Sequence, residues 1–446
     1  MTDTQPRDEA YAPHGSRPGD QGERPSYETG GLRLALLVGS VLALGLLANW
    51  SYVLVVFGIV VMIFLHELGH FLTAKWSGMK VTEFFIGFGP RIWSFQRGET
   101  EYGVKAVPAG AYVRIIGMNN LDETDPTDEP RTYRQQSFPK RLLVVSAGSI
   151  MHFIQAFVLL VILLTAFGLP GGTLTDDAAR DRKWEAGSIS PDSAAEDAGL
   201  REGDKIVRFD GQPVATFDDV TTLIRASRVG DEVTFEVLRG GEVVVMTAEL
   251  GARPESAGGD PGSPFLGVGA TSPVEKVGLG TAIVQAPGEM VAFTGDALGA
   301  LTGFFSPSGI SDFAGTVSDG SGDGEPSGSS GGGSSATSDG SDENRLMSLF
   351  GVVRIGAAVS EDGMANLLIL FFTMNVFIGV FNMVPLPPLD GGHAAVAVYE
   401  RVRSRKGRRY HADATKLLPL TYAVVMVMAV LFVTTTYLDV VNPVDL

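Results

Sequence analysis

The sequence predicts a polytopic α-helical membrane protein that carries an inserted, water-exposed α+β domain. Hydrophobic residues make up 45% of the 446-residue chain, and several apolar runs approach the length of a membrane span. The formal net charge is nevertheless −17. Residues 170–360 hold 13 basic against 29 acidic side chains, which accounts for nearly the whole imbalance. This middle region therefore lies in water, while the apolar runs on either side of it lie in the bilayer.

Five apolar runs are candidates for transmembrane helices, since a helix needs about 20 apolar residues to cross a bilayer. They cover residues 32–48, 51–75, 142–169, 364–386 and 415–438. The sequence leaves open whether the first run crosses the membrane or lies on its surface. Residues 1–31 ahead of it are rich in proline, glycine and charge, which predicts a disordered cytoplasmic tail.

The orientation of the spans follows from the basic residues of their connecting loops, because cytoplasmic loops are enriched in lysine and arginine. The loop between the second and third spans is basic. The loop between the fourth and fifth spans carries Arg401, Arg403, Arg405, Lys406, Arg408 and Arg409. Both are therefore expected on the cytoplasmic side. The acidic region 170–360 then falls outside the cytoplasm, and its charge argues against nucleic acid as a partner.

The pentapeptide His66-Glu67-Leu68-Gly69-His70 lies inside the second span. Residues four apart share one face of a helix, so His66 and His70 can both turn imidazole nitrogens toward one Zn²⁺, with Glu67 beside it as a base. Zinc would supply the nucleophile by acidifying a water molecule. Two such histidines can be ordinary packing residues in a soluble protein, but ionisable side chains in hydrocarbon are costly and need partners. The chain has no cysteine, which excludes a thiolate metal site.

A third metal ligand is expected from a carboxylate beyond the fourth span. There Pro385, Pro387 and Pro388 forbid a continuous helix, and Asp390 follows the break. Spans two and four both run from the outside to the cytoplasm in the orientation above. Asp390 can therefore meet the two histidines at one depth, near the cytoplasmic side of the membrane.

These features together resemble the site-2 protease family of intramembrane zinc metalloproteases. The resemblance rests on the membrane-embedded HELGH, the distant PLPPLDGGH that starts at Pro385, and the soluble domain between them. It covers about residues 51–446 and is strongest to actinobacterial members with one PDZ domain. It implies that Zn²⁺ is held by His66, His70 and Asp390, and that Glu67 is the general base. It also implies that Asn382 holds the substrate backbone.

The third span departs from the family pattern. Family members often have a Gly-rich motif ending in Asn at its start, whereas this chain has His152 there. An ionisable side chain inside the membrane favours a functional role, here contact with the substrate or with the attacking water. The alternative is a hydrogen bond that only joins two helices.

Residues 80–118 have the glycines, proline and alternating apolar positions typical of short strands linked by turns. In the family this region is a re-entrant β structure near the active site. Such a structure can present an edge strand to an unwound substrate through main-chain hydrogen bonds. The alternative is a cytoplasmic hairpin that only packs.

Residues 183–270 show an order of short helix, strands and turns that resembles a PDZ domain of the bacterial protease type. A PDZ domain takes peptides by strand addition or captures a C-terminal carboxylate. In this setting it can instead act as a size filter against bulky ectodomains, or only as a spacer. Residues 277–305 are predicted to be a membrane-associated helical segment. Residues 318–344 are almost wholly Ser, Gly, Asp and Glu, which predicts a flexible linker.

The function implied by the resemblance is cleavage of transmembrane segments in regulated intramembrane proteolysis. The implied partners are the lipid bilayer and single-span membrane proteins, such as anti-sigma factors or remnant signal peptides. A site-1-type protease would shorten these substrates first. Two hypotheses of other classes fit the sequence less well. A non-catalytic membrane scaffold would have lost a ligand or the base, but all four residues are intact. A zinc transporter would need polar residues lined through several spans, and the spans are otherwise apolar.

Overall fold

The computed structural model describes residues 27–47, 49–118, 124–175, 183–254, 257, 260–311, 348–361, 363–404 and 410–441. Most of the predicted tail and all of the predicted linker 318–344 lie outside these residues. The helices are α1 (Tyr27–Leu47), α2 (Trp50–Trp76), α3 (Phe138–Ile162), α4 (Ala194–Asp197), α5 (Phe217–Ala226), α6 (Leu279–Phe304), α7 (Leu349–Glu361), α8 (Met364–Asn382), α9 (Asp390–Arg403) and α10 (Leu418–Val441).

Four helices of the described chain are long and apolar enough to cross a membrane: α2, α3 with the π-helical turn Leu163–Phe167 that continues it, α8, and α10. They correspond to the last four of the five predicted spans. The apolar part of α1, Val38–Leu47, is shorter than these four. A fifth crossing at residues 32–48 therefore stays a prediction.

Small residues let the membrane helices approach closely. A Cβ at Gly69 of α2 would collide with the Ala147 carbonyl and with Met151 of α3. A Cβ at Gly58 would overlap the Phe371 ring of α8. Close approach of backbones is the usual way in which helices associate in lipid, where apolar side chains gain little from burial against each other.

The strands β1 (Val81–Arg97) and β2 (Thr100–Ile115) follow α2, and each bends near its middle. The first half of β1 pairs with both halves of β2, so that Phe84 lies opposite Val113 on one side and Tyr102 on the other. The result is a small mixed sheet of four segments, in the spatial order 111–115, 81–86, 101–104 and 91–97. The two outer pairs are antiparallel, whereas the residue numbers of 81–86 and 101–104 rise in the same direction. The segment 111–115 is therefore an edge of this sheet.

Aromatic rings attach this sheet to α2. Phe71 of α2 stacks on Phe84, with ring centroids 5.1 Å apart, and meets Tyr102 edge-on at 5.8 Å. Tyr102 in turn stacks on Phe95 of the outer segment at 5.3 Å. Because α2 carries the histidine pair, these contacts place the sheet at a fixed position relative to the site.

The turn between β1 and β2 is tied to the end of α2 by charge. Glu99 accepts two hydrogen bonds from Arg131, at 2.6 and 2.7 Å, and one from Lys75 of α2 at 3.0 Å. The hydrogen bonds from Arg131, followed by those from Lys75, lower the pKa of Glu99 to about 2. The tip of the sheet is thus held beside the basic end of α2.

The α+β domain occupies residues 184–271 and has its own apolar core. The short strands β3 (Leu169–Pro170) and β12 (Val274–Glu275) pair with each other just outside the domain. The strands of the domain are β4 (Glu185–Ile189), β5 (Lys205–Phe209), β6 (Gln212–Pro213), β7 (Glu232–Arg239), β8 (Glu242–Glu249), β9 (Gly251–Ala252), β10 (Pro264–Phe265) and β11 (Val268–Thr271). Its main sheet has the order β6-β5-β7-β8, and two separate pairs join β4 with β11 and β9 with β10. Phe209 and Phe235 are almost fully buried at the centre of the core, with Trp184 at its side.

Helix α6 returns from the α+β domain to the membrane helices. It packs on α3 and α8 through Ala282 and Ala286, and through Phe293, whose ring centroid lies 5.1 Å from that of Phe372. Its buried Glu289 accepts hydrogen bonds from the chain just after α3, including one of 2.8 Å from Thr175 Oγ1. The predicted helix at 277–305 is present, and its association with the membrane stays a prediction.

Candidate metal centre

His66 and His70 lie on the face of α2 that is buried against α3. Their Nε2 atoms are 3.2 Å apart. His70 Nδ1 lies 2.7 Å from the carbonyl oxygen of Val144. A carbonyl only accepts, so Nδ1 carries the hydrogen and Nε2 keeps a lone pair. His66 Nδ1 faces the backbone of Gly148, so its Nε2 is directed at the same point.

Asp390 reaches this point from the first turn of α9. Its Oδ2 atom lies 3.3 Å from His70 Nε2 and 3.5 Å from His66 Nε2. The helix starts at Asp390 itself, after a turn over residues 383–389 that the three prolines impose. The structure thus brings together the three residues that the sequence predicts as metal ligands.

The two glycines after Asp390 make this placement sterically possible. A Cβ at Gly391 would collide with the carbonyl oxygens of Met383 and Val384, and one at Gly392 would overlap the backbone of Pro387. Only glycine lets the start of α9 pack so closely on the chain that leads into it. In the Asp-Gly-Gly sequence the aspartate therefore supplies the carboxylate, and the two glycines supply the space that the close packing requires.

The donor set fits zinc. Tetrahedral zinc holds nitrogen and oxygen ligands at about 2.0–2.1 Å, which places two ligand atoms roughly 3.3–3.4 Å apart. The three distances between the donor atoms are 3.2, 3.3 and 3.5 Å. Asp390 Oδ2 is buried and accepts no well-directed hydrogen bond from the described residues, which is costly without a cation beside it. Two imidazoles and one carboxylate are also the ligands of many catalytic zinc sites.

Glu67 is half-buried and adjoins the triad without belonging to it. Its carboxylate lies near His70 and Asp390, and beside the backbone amide of Val113 in the edge segment of the sheet. A carboxylate next to a metal centre can accept a proton from water and release it again. The edge segment and the predicted base therefore lie at the same place.

Helix α3 forms the floor of the site. A Cβ at Gly148 would overlap the rings of both His66 and His70, so no larger residue fits there. Val144, one turn earlier, supplies the carbonyl that fixes the tautomer of His70. The three small residues Ala147, Gly148 and Ser149 are the sequence feature that indicates close helix packing at this point. The carbonyl of Val144 has no such signal, because every residue has one.

His152 lies on α3 one turn beyond Gly148, and its ring centroid is 4.9 Å from that of His66. Its Nδ1 donates to Asn375 Oδ1 of α8 at 2.9 Å, and Asn375 Nδ2 donates to the Phe371 carbonyl at 2.8 Å. The bond that joins two helices is thus present, beside the metal ligands. Asn375 did not emerge from the sequence reasoning, although a single Asn in an apolar span is itself a signal for a bond between helices.

Asn382 is the last residue of α8 and is partly exposed. It lies at the start of the turn that leads to Asp390, outside the metal triad. A role in holding the substrate stays a prediction for Asn382, as does a contact with substrate for His152.

Residues 54–429 match the sequence model of Peptidase family M50. The chain is 31% identical over 425 residues to the zinc metalloprotease Rip1 of Mycobacterium tuberculosis strain H37Rv, a match that covers 88% of this chain and 98% of that protein. It is also 31% identical over 421 residues to Rip1 of Mycolicibacterium smegmatis, again covering 88% of this chain and 98% of that protein.

Among solved structures, the PDZ domain of the SdrC-like protein from Listeria monocytogenes covers 20% of this chain and 87% of its own length. The identity is 24% and the TM-score is 0.18.

Proposed function

The chain belongs to peptidase family M50 and is a zinc metalloprotease, and we propose that it cleaves peptide bonds within the transmembrane segments of other membrane proteins. The observation that carries this proposal is the position of the donor triad. Two of its three ligands lie on α2, a helix that is long and apolar enough to cross a bilayer, and the third follows α8, another such helix. Hydrolysis at this site would act on chains that enter from the membrane.

The proposed chemistry assigns a role to each residue of the site. His66, His70 and Asp390 would hold Zn²⁺, which supplies Lewis acidity to a water molecule and to the scissile carbonyl. Glu67 takes a proton from the attacking water and passes it to the leaving amine. Val144 keeps the His70 imidazole in the tautomer that the metal needs, and Gly148 leaves room for both imidazoles.

The substrate would be held as an added strand at the edge segment 111–115. A peptide bond inside a helix is hidden from attack, so the substrate must unwind locally before cleavage. The edge segment has no strand partner on its outer side among the described residues, and the backbone amide of Val113 lies beside Glu67. A strand bound there would pass the predicted base while its main-chain groups are satisfied. Asn382 and His152 would contact the same strand.

The topology we propose places the basic loops and the metal centre toward the cytoplasm, and the α+β domain outside it. The protein would thus be a multi-pass protein of the cell membrane, with residues 1–31 as a cytoplasmic tail. Because the chain has no cysteine, single cysteines can test this in cells. A maleimide that does not cross membranes should label Glu249→Cys in the domain, and should label Thr127→Cys only after permeabilisation. The reverse pattern would contradict the topology.

The α+β domain is proposed to be a PDZ-like filter. It would keep intact, bulky ectodomains away from the membrane helices and admit chains already shortened by a site-1-type protease. The substrates would be single-span membrane proteins, such as anti-sigma factors or remnant signal peptides, cleaved in regulated intramembrane proteolysis. The acidic surface of residues 170–360 gives nucleic acid no role in this process.

The decisive experiment uses the purified protein in detergent with a transmembrane model substrate. We expect Glu67→Gln to retain stoichiometric zinc but to cleave roughly 10²–10⁴-fold more slowly, which is the usual contribution of a general base. Glu249→Gln, an exposed glutamate of the α+β domain, is the matched control and should cleave at the wild-type rate. Equal cleavage by Glu67→Gln would contradict the role of Glu67. Zinc binding without cleavage by the wild type would favour a scaffold.

A further inference from the structure

The position of the third ligand depends on how α9 is held. The buried residues of this helix are Gly391, Gly392, Ala394, Ala397 and Glu400. Helices interlock when ridges of side chains enter grooves of their neighbours. Glycine and alanine give shallow ridges, so four of the five buried residues allow close approach but resist sliding or rotation only weakly. Glu400 is the one long side chain among them.

Glu400 is tied on both of its carboxylate oxygens. Oε2 lies 2.6 Å from Arg141 Nη2 at the start of α3, and Oε1 accepts a hydrogen bond of 2.6 Å from the backbone N–H of Ala412. Glu400 is 3% exposed and Arg141 is 9% exposed. The guanidinium also lies over the ring of Tyr133, 4.9 Å from its centroid. Loss of one partner would leave the other charge buried and unpaired, so this contact has little freedom to shift.

Arg141 belongs to the same face of α3 that organises the rest of the site. Arg141, Val144, Gly148 and His152 follow at intervals of three, four and four residues, which places them along one side of a helix. Val144 and Gly148 contact the histidine pair, and His152 bonds to α8. Arg141 contacts α9 through Glu400. Helix α3 therefore contacts both α2, which carries His66 and His70, and α9, which carries Asp390, and so fixes these two helices relative to each other.

We propose that the Arg141–Glu400 ion pair is a positioning device for the third zinc ligand. It fixes α9 against α3 at a point ten residues beyond Asp390, and so sets the distance from the Asp390 carboxylate to the two imidazoles. Neither residue belongs to the donor triad of His66, His70 and Asp390. This inference rests on the zinc site of the proposed function but not on proteolysis.

The test measures zinc and its geometry in the full-length protein in detergent. Glu400→Gln keeps an acceptor for Ala412 but removes the charge. We expect zinc to be lost to a chelator roughly tenfold to a hundredfold faster than in the wild type, as for other residues that orient metal ligands indirectly. The visible absorption of the Co²⁺-substituted protein should shift as well. Arg141→Gln should show the same faster zinc release and the same spectral shift as Glu400→Gln. Arg141→Lys, which keeps the charge, should release zinc more slowly than Arg141→Gln.

The control is another ion pair of the same chain with a buried carboxylate. Asp204 of the α+β domain is 1% exposed and accepts from Arg239 at 2.6 and 2.8 Å. Arg239, whose side chain is 28% exposed, is the only cation paired with this carboxylate among the described residues. Arg239→Gln therefore leaves a buried carboxylate without its cation, but should leave zinc release and the Co²⁺ spectrum at wild-type values. A merely structural effect of losing a buried charge would therefore not imitate the expected result.

Wild-type zinc release and an unchanged Co²⁺ spectrum in Glu400→Gln would overturn the proposal. If that variant does not fold, Glu400→Asp serves instead. It keeps the charge but shortens the side chain by one methylene, which draws the carboxylate away from Arg141. We expect Glu400→Asp to shift the Co²⁺ spectrum, and a wild-type spectrum would equally overturn the proposal. Failure of the wild type to bind zinc would contradict the proposed function itself, which is a distinguishable outcome.

Discussion

The core of the α+β domain and the surroundings of the candidate metal ligands His66, His70 and Asp390 are packed on different principles. Large apolar side chains such as Phe209 and Phe235 fill the domain core. Beside the ligands, glycines such as Gly69 and Gly148 bring backbones together, and buried polar pairs join the helices. In water, burial of apolar surface stabilises a fold. In lipid that term is small, so close contact and polar bonds must define the arrangement. Added volume should therefore harm the site, and removed volume should harm the domain.

Gly148→Ala should have the largest effect, because it adds volume where both imidazoles lie. The new Cβ would overlap both rings, so the histidines must move or α3 must withdraw from α2. We expect loss of stoichiometric zinc from the purified variant, measured by elemental analysis, and with it loss of cleavage. Gly295→Ala on α6 is the control, since its Cβ would meet no atom of the described chain within 4 Å and should leave zinc unchanged. A Gly148→Ala protein with stoichiometric zinc would show that α3 is not packed closely against the rings of His66 and His70.

Phe235→Ala tests the other half of the comparison, because it removes volume from the domain core. Phe235 is fully buried, and Phe→Ala in a packed core costs about 3–5 kcal/mol. We expect faster hydrogen exchange throughout residues 204–249, measured by mass spectrometry, with unchanged zinc content. Val245→Ala on the exposed face of β8 should alter neither. Loss of zinc in Phe235→Ala would mean that the two regions are packed as one unit.

The sequence predicts those parts of this molecule that have a local cause. His66 and His70 are four residues apart on one helix, so their shared face follows from helix geometry alone. The proline-rich break before Asp390 likewise identifies where a span must end. The structure brings these three side chains together. Among the described residues, four of the five predicted spans are apolar helices of spanning length, and the fifth, at residues 32–48, stays a prediction.

Apart from the meeting of Asp390 with the two histidines, which follows from the orientation of the spans, the sequence does not reveal pairings between distant positions. His152 meets Asn375 across 223 residues of sequence, and Arg141 meets Glu400 across a still longer interval. No spacing or periodicity marks such partners, because they depend on which helices become neighbours. The same holds for the sheet, where Phe84 has a partner in each half of β2. Short strands were predicted there, but their order follows only from the pairing.

The bond between His152 and Asn375 offers a smaller and quantitative test of polar contacts in lipid. A double-mutant cycle with His152→Ala and Asn375→Ala should give a coupling energy of about 0.5–2 kcal/mol, the range found for bonds between membrane helices. Unfolding in mixed micelles provides the measurement. His152→Asn retains a polar group at this position and should lose less stability than His152→Ala. A coupling energy near zero would remove this bond from the set that defines the site.

The smallest effect is expected at the turn between β1 and β2, where Glu99 is held by ion pairs with Arg131 and Lys75 that are partly exposed to water. The pKa of Glu99 is lowered to about 2 by Arg131 and Lys75, whereas a free glutamate has a pKa of about 4.3. Its bonds therefore stabilise the tip of the sheet above about pH 4.3, and this contribution is lost as the pH falls toward 2. Arg131 is 44% exposed, so the contribution should be modest.

We expect Glu99→Gln to speed hydrogen exchange at residues 96–101 slightly at pH 7, and the difference from wild type to shrink below about pH 4. Comparing both proteins at each pH cancels any common loss of zinc in acid. Added salt should reduce the difference at pH 7, because exposed charges are screened. The buried pair of Arg141 and Glu400 should be insensitive to the same salt, since screening acts weakly on charges away from water. A difference that persisted in acid would mean that Glu99 holds the sheet through packing instead of charge.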